Sequence, residues 1–141
     1  MKMLRVPEVL LLACDADERA ILQKILGLHA ELTCVCTPEE MAGRLEQAKY
    51  DALFCARSLS MGNWREVLQE VQQFYPHLPI IILSRTADEQ EWLEVIEAGA
   101  FDLLGPPYYE QMFLSVLEHA VVSHKARVWY GETRPRKSKV S

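Results

Sequence analysis

The sequence predicts an α/β protein built on a central parallel sheet, and three observations carry that expectation. Short runs that are apolar throughout, above all Val9-Leu10-Leu11-Leu12-Ala13 and Pro79-Ile80-Ile81-Ile82-Leu83, have the pattern of strands buried on both faces. Between such runs lie segments with apolar residues three and four apart, the spacing of amphipathic helices. The two patterns alternate along 141 residues, half of them hydrophobic, which suits one domain with one sizeable core.

Each element has its own warrant. Val9 to Ala13 is the first strand. Asp17 to about Leu28 follows as a helix with Ile21, Leu22, Ile25 and Leu26 inward, fraying at Gly27 and His29. Leu32 to Cys36 is a β-rich run. Thr37-Pro38-Glu39-Glu40 starts the second helix: the hydroxyl caps, proline suits the first helical position, and Glu40 completes a capping box. Met41, Leu45 and Ala48 form its inner side. Ala52 to Ala56 is the third strand. Trp64 to Tyr75 is a helix with Val67, Leu68, Val71 and Phe74 inward, stopped by Pro76. Pro79 to Leu83 is the fourth strand. Asp88 to Ala98 is a helix with Leu93 and Ile96 inward, closed by Gly99. Phe101 to Leu104 is a short fifth strand. Tyr109 to about Lys125 is the last helix, with Met112, Phe113, Val116, Leu117, Ala120 and Val121 inward.

Five consecutive βα units need right-handed crossovers, which leaves few topologies. The flavodoxin-like (βα)5 arrangement, a doubly wound parallel five-stranded sheet in order 2-1-3-4-5, is the expected one. Its functional crevice lies beyond the carboxyl ends of strands one and three. The expected domain is 8–125. Residues 126–141 read as a basic tail, disordered or partly helical through Val128-Trp129-Tyr130.

Charge is unevenly spread over a net −5. From His124 onward Lys125, Arg127, Arg134, Arg136, Lys137 and Lys139 stand against Glu132 alone, so the body is strongly acidic and repels nucleic acid. No apolar run approaches the ~18 residues that span a bilayer, and the basic start meets Asp15, Asp17 and Glu18 too soon for a signal peptide. A cytoplasmic protein with no membrane contact is expected. Cys14, Cys34, Cys36 and Cys55 fall in apolar runs and are read as buried, reduced thiols. Neither Cys34-Val35-Cys36 nor His29, His77, His119 and His124 has metal-site spacing. No metal or cofactor is expected.

The crevice receives Ala13, Cys14 and Asp15 from strand one, Ala56 from strand three, Ser84 from strand four, and Gly105 and Pro106 from strand five. With Arg19, Tyr50-Asp51, Leu78 to Ser84, Glu97-Ala98-Gly99-Ala100-Phe101-Asp102 and Pro106-Pro107-Tyr108 in step, the chain resembles the response regulator receiver domain over about residues 8 to 122. The resemblance implies two-component phosphorelay signalling. It also implies where the family's chemistry belongs. The acidic pair that holds Mg²⁺ is matched by Ala13 and Cys14; a one-residue slip makes Asp15 its remnant, but the spacing to Arg19 favours the unslipped reading. The phosphoacceptor aspartate is matched by Ala56, the phosphoryl-binding lysine by Pro106 and the aromatic switch by Leu103. The strand-four hydroxyl is retained as Ser84. The family's cis bond falls at Pro106-Pro107, and an X–Pro bond tolerates cis at ~0.5–1 kcal/mol.

These matches lead to the expectation of an atypical, phosphorylation-independent receiver, not an enzyme, that acts through protein–protein interaction. In the family the face of helix four, strand five and helix five binds partners or a second copy, and here it carries Trp92, Val95, Leu103, Leu114 and Val122. The chain ends soon after helix five, so any output is expected to come through a partner. Two other readings are weaker. Phosphorylation at Ser58, Ser60 or Ser84 lacks the carboxylate that the chemistry requires. A flavodoxin-like small-ligand or thiol-redox protein rests on Cys14 alone, and the acidic loop Ala13-Cys14-Asp15-Ala16-Asp17 does not suit a flavin phosphate.

Overall fold

A computed structural model describes the backbone of residues 6–59 and 61–133, and side chains as far as residue 126. Residues 1–5, Ser60 and residues 134–141, the second half of the basic tail, lie outside the described residues. The elements run β1 (Glu8–Leu12), α1 (Ala16–Leu26), β2 (Glu31–Val35), α2 (Pro38–Gln47), β3 (Ala52–Ala56), α3 (Trp64–Phe74), β4 (Ile80–Leu83), α4 (Glu89–Ala98), β5 (Asp102–Leu104) and α5 (Glu110–Thr133). All strand pairs are parallel, as the alternation of patterns implies, and the order is the expected β2-β1-β3-β4-β5.

Strand periodicity divides the core between the two faces of the sheet. Leu10, Leu12, Leu53, Cys55, Ile80 and Ile82 pack with α2, α3 and α4 through Met41, Leu45, Trp64, Val67, Leu68, Val71 and Val95. Val9, Leu11, Ala13, Phe54, Ala56, Ile81 and Leu83 pack with α1 and α5 through Leu22, Leu26, Phe113, Leu117 and Val121. Phe113 is fully buried, and its ring lies 5.8 Å from that of Phe54 and 5.3 Å from that of Tyr108. This stack fixes α5 against β3.

Helix starts follow local chemistry. Thr37 and Asp88 make complete capping boxes with Glu40 and Glu91, while Asp15 and Asn63 cap α1 and α3 through their side chains. Gly99 closes α4 at φ 109°, a conformation that suits glycine. At the amino edge of the sheet, Asp51 is buried and accepts the Glu8 N–H at 2.8 Å, tying the entry of β3 to β1; His124 of α5 lies 3.4 Å from the same carboxylate.

The structure corrects several side-chain placements. Ile21, Phe74, Leu93 and Met112 are exposed rather than inward, because each lies beyond the edge of the helix stripe that the sheet covers. Helix α5 continues past the expected end near Lys125 to Thr133, matching the reading that the tail is partly helical through Val128-Trp129-Tyr130, since nothing between Ala126 and Tyr130 breaks it. The cysteines are not uniformly buried thiols. Only Cys55 is fully buried; Cys14 is exposed and disulfide-bonded to Cys36, and Cys34 is free and half-buried.

Candidate functional site

The register of the sheet brings the crevice together. Leu12 pairs with Cys55, so Ala13 and Ala56 follow side by side at the carboxyl edge. Ala56 pairs with Leu83, which places Ser84 one residue beyond it. Ala13 and Ala56 are both buried in the apolar cluster facing α1 and α5. The floor of the crevice is therefore two methyl groups in van der Waals surroundings, with no charge on it.

Charge is concentrated beside this floor, on the α4 side. Arg57, the residue after Ala56, directs its guanidinium to Glu91 (Nη1–Oε2 3.2 Å) and Glu94 (Nη2–Oε1 3.1 Å) of α4. The Ser84 hydroxyl donates to the Glu91 carboxylate at 2.9 and 3.1 Å. Thr86 Oγ1 donates to Glu91 Oε1 at 2.6 Å, and the Asp88 N–H reaches the same oxygen at 3.2 Å. One carboxylate thus gathers two hydroxyls, a guanidinium and a backbone amide. The hydroxyl of Ser84 in turn accepts the N–H groups of Thr86 and Ala87 at 3.3 Å. It orders the β4–α4 turn, in which Ala87 adopts φ 44°.

The Thr86 hydrogen bond, followed by those from Ser84 and Asp88 and the charge of Arg57, holds the Glu91 carboxyl below its usual range against the opposing effect of burial. A depressed folded pKa contributes stability that is fully present above the ordinary value of 4.5 and lost as pH falls through the folded value. Glu91→Gln is expected to destabilise the fold by about 1–2 kcal/mol at neutral pH. Denaturant melts should show the deficit narrowing below pH 4.5, as wild type loses the same charge. An equal deficit at all pH values would refute the assignment.

The rim of the crevice is closed by contacts between its loops. Asp15 caps α1 by accepting the Glu18 N–H at 2.9 Å, and its carboxylate lies 3.8 Å from Arg85 Nη2 across the mouth. Arg19 donates twice to the Ala13 carbonyl, at 3.1 and 2.8 Å. Tyr108 donates its hydroxyl to Glu18 at 2.7 Å, joining the β5–α5 loop to α1; burial, then the Glu18 bond and charge, push its phenol well above the usual range. Gly105 packs so tightly that an added Cβ would meet Ala87 Cβ and the Ser84 carbonyl. The Pro106–Pro107 bond is cis, and Pro106 is exposed.

The expected crevice residues therefore converge, with Ala13, Ala56, Ser84 and Gly105 at its base and Asp15 at its rim. Ser58 is exposed. The residues expected on the partner face differ in exposure. Val95 and Leu103 are core, because the inner stripe of α4 and the central residue of β5 point into the cluster shared with α3. Leu114 is half-buried, while Trp92 and Val122 are exposed. The Trp92 indole N–H donates to Asp102 at 3.3 Å, which holds the ring beside β5. Sequence reasoning missed Arg57 and Glu91; the signal was the Asp88-x-x-Glu91 capping pattern, which places Glu91 on the first turn beside Ser84. Among the described residues no group of three or more His, Cys, Asp or Glu is placed to hold a metal ion.

The family model of the response regulator receiver domain matches residues 11–118. The chain belongs to the response regulator receiver family. Solved structures of the same fold agree. The beryllofluoride-activated receiver domain of DrrB is 15% identical with a TM-score of 0.74, covering 84% of this chain and 99% of that one. The receiver domain of a Pseudomonas aeruginosa PAO1 sensor histidine kinase, with magnesium coordinated in its active-site cleft, is 20% identical with a TM-score of 0.74 and the same coverage. NtrX of Brucella abortus in complex with ATP is 18% identical with a TM-score of 0.84; the match covers 97% of this receiver chain but 32% of NtrX. No curated protein matches the chain. No described helix of this receiver is long and apolar enough to cross a membrane.

Proposed function

We propose that this receiver is degenerate: a phosphorylation-independent interaction module of two-component signalling. The observation that carries this reading is the Ser84–Glu91–Arg57 network beside Ala56. In the family the strand-four hydroxyl engages the phosphoryl group. Here that hydroxyl already donates to an internal carboxylate, and the position that would carry the phosphoryl group is a buried methyl.

The residues present do not fit magnesium. The ion takes near-octahedral oxygen ligands and is usually bound through one or two carboxylates and phosphate. Ala13 supplies no side-chain ligand, Cys14 is bonded to Cys36, and Asp15 is engaged by the Glu18 amide and faced by Arg85. Pro106 leaves no cation where the family's lysine stands. Phosphoryl transfer relies on positioning and charge neutralisation, and neither is supported by these side chains.

Output in this reading is protein–protein contact through the α4–β5–α5 face, where Trp92 and Val122 remain exposed and Leu93 adds apolar surface on α4. Sedimentation velocity over a range of concentrations tests a second copy as the occupant, with Trp92→Ala as the comparison. Concentration-dependent association weakened by that substitution supports the face; a strictly monomeric protein argues against self-association there.

Incubation with acetyl phosphate and Mg²⁺ followed by intact mass measurement tests the central element. No adduct is expected. A stoichiometric, hydroxylamine-labile phosphoryl adduct overturns the reading.

A further inference from the structure

We propose that Cys14 and Cys36 form a reversible redox site at the mouth of the crevice, joining the β1–α1 loop to the β2–α2 loop. The site is built by the sheet. Strands β1 and β2 are parallel neighbours, and Leu12 pairs with Val35 at their carboxyl ends. The next residues leave the sheet together, the Ala13 N–H bonding to the Val35 carbonyl at 3.1 Å. Cys14 and Cys36 then face one another with Cα atoms 4.6 Å apart, although 22 positions separate them in sequence. That spacing lies within the ~4.4–6.8 Å that native disulfides span.

Two features point to a modification site rather than a structural staple. First, this chain does not need a staple. Disulfides hold small domains that lack a sufficient hydrophobic core. Here both faces of the sheet are covered by continuous clusters of buried side chains. Second, Cys14 is exposed, so oxidants and reducing thiols reach it directly, and exposed bridges are the labile ones. The pair also sits at the starts of two helices, since Asp15 caps α1 directly after Cys14 and Thr37 caps α2 directly after Cys36. The other cysteines contrast with this pair. Cys55 is sealed in the core, where burial pushes its thiol up to about 12, and Cys34 is turned toward Gln23, whose amide lies 3.3 Å from its sulfur.

The chemistry balances with a peroxide as oxidant. The Cys14 thiolate attacks one peroxide oxygen, the O–O bond breaks, and hydroxide leaves, giving a sulfenic acid. The Cys36 thiolate then attacks the Cys14 sulfur and expels the second hydroxide. Forming the S–S bond oxidises the two sulfurs by two electrons in total, which reduce one peroxide, and the two thiol protons convert the hydroxides to two waters. A dithiol reductant reverses the step by exchange through a mixed disulfide. The consequence is local. The bond ties the starts of α1 and α2 together at the rim, beside the Asp15–Arg85 contact. This proposal goes beyond the phosphorylation-independent reading and does not depend on it: the acetyl phosphate experiment and the thiol experiment fail separately.

The full chain is reduced, exposed to hydrogen peroxide, quenched, and alkylated after unfolding; peptides are then mapped by mass. The expected product is a linked pair of the Cys14 and Cys36 peptides with Cys34 and Cys55 alkylated, returning to four alkylated cysteines after dithiothreitol. Cys14→Ser and Cys36→Ser should each abolish the intramolecular link, and Cys34→Ser should leave it. Amide hydrogen exchange on the same samples should slow at 14–19 and 36–41 in the oxidised form. Alkylation of all four cysteines after peroxide, a link through Cys34, or a bridge between two copies would overturn the proposal, as would identical exchange in both redox forms.

Discussion

Ala56→Asp is expected to lose about 3 kcal/mol of stability at neutral pH and to remain unphosphorylated. The residue is 4% exposed and lies in the apolar cluster with Ala13, Phe54 and Leu83. A carboxylate there has no partner, because Arg57 is bound to Glu91 and Glu94 on the α4 side of the sheet. Desolvation raises the pKa of such a group. The native state then binds more protons than the unfolded chain between the ordinary aspartate value of about 3.9 and the raised one, so stability falls as pH rises through that window. Denaturant melts should show the deficit largest at neutral pH and smallest near pH 4. Restoring the acceptor type alone restores neither metal ligands nor the lysine, so acetyl phosphate should still leave the mass unchanged. A variant as stable as wild type that takes up a phosphoryl group would contradict the account of this crevice.

Phe113→Ala is expected to cost about 3–5 kcal/mol, the range for deleting a buried aromatic. Its ring is fully buried between Phe54 of β3 and Tyr108 of the β5–α5 loop. The loss combines transfer of the ring with the cavity left behind. Relaxation into that cavity is limited, because Phe54 is held in the central strand and Tyr108 is tethered to Glu18. Thermal and denaturant unfolding should both report the loss, with a fall in midpoint of roughly 10 °C or more. A change below about 1 kcal/mol would mean that α5 does not anchor the fold through this ring.

The frame of this receiver was legible because its signals are local. Uniformly apolar strands, capping boxes at Thr37 and Asp88 and glycine after Ala98 each identify an element within a few residues. Right-handed crossovers leave few strand orders, and the crevice positions follow from the order β2-β1-β3-β4-β5. Less legible were features that depend on which edge of a helix the sheet covers. Leu93 and Val95 look alike in sequence, yet Val95 is buried and Leu93 is 44% exposed. The family resemblance puts Leu103 on the partner face with the rest of β5, but its side chain turns into the cluster beneath α3 and α4.

Two pairings at the site were beyond local reading. Arg57 and Glu91 are separated by a helix and a strand, and only the β3–β4 register sets Arg57 opposite the first turn of α4. Cys14 and Cys36 each read as the apolar end of a strand. Their pairing required combining the order β2-β1 with the fact that both follow directly on parallel neighbours. Burial expected from residue type failed there because the carboxyl edge of the sheet opens to solvent.

The account turns on whether this frame responds to a phosphoryl group and magnesium. The most direct measurement is the two-dimensional ¹H–¹⁵N spectrum of the full chain, with and without beryllofluoride and Mg²⁺ in excess. Superimposable spectra are expected, including the amides of Arg57, Ser84, Thr86 and the first turn of α4. Saturable shifts centred on those residues would show a live phosphoryl site and would contradict the account.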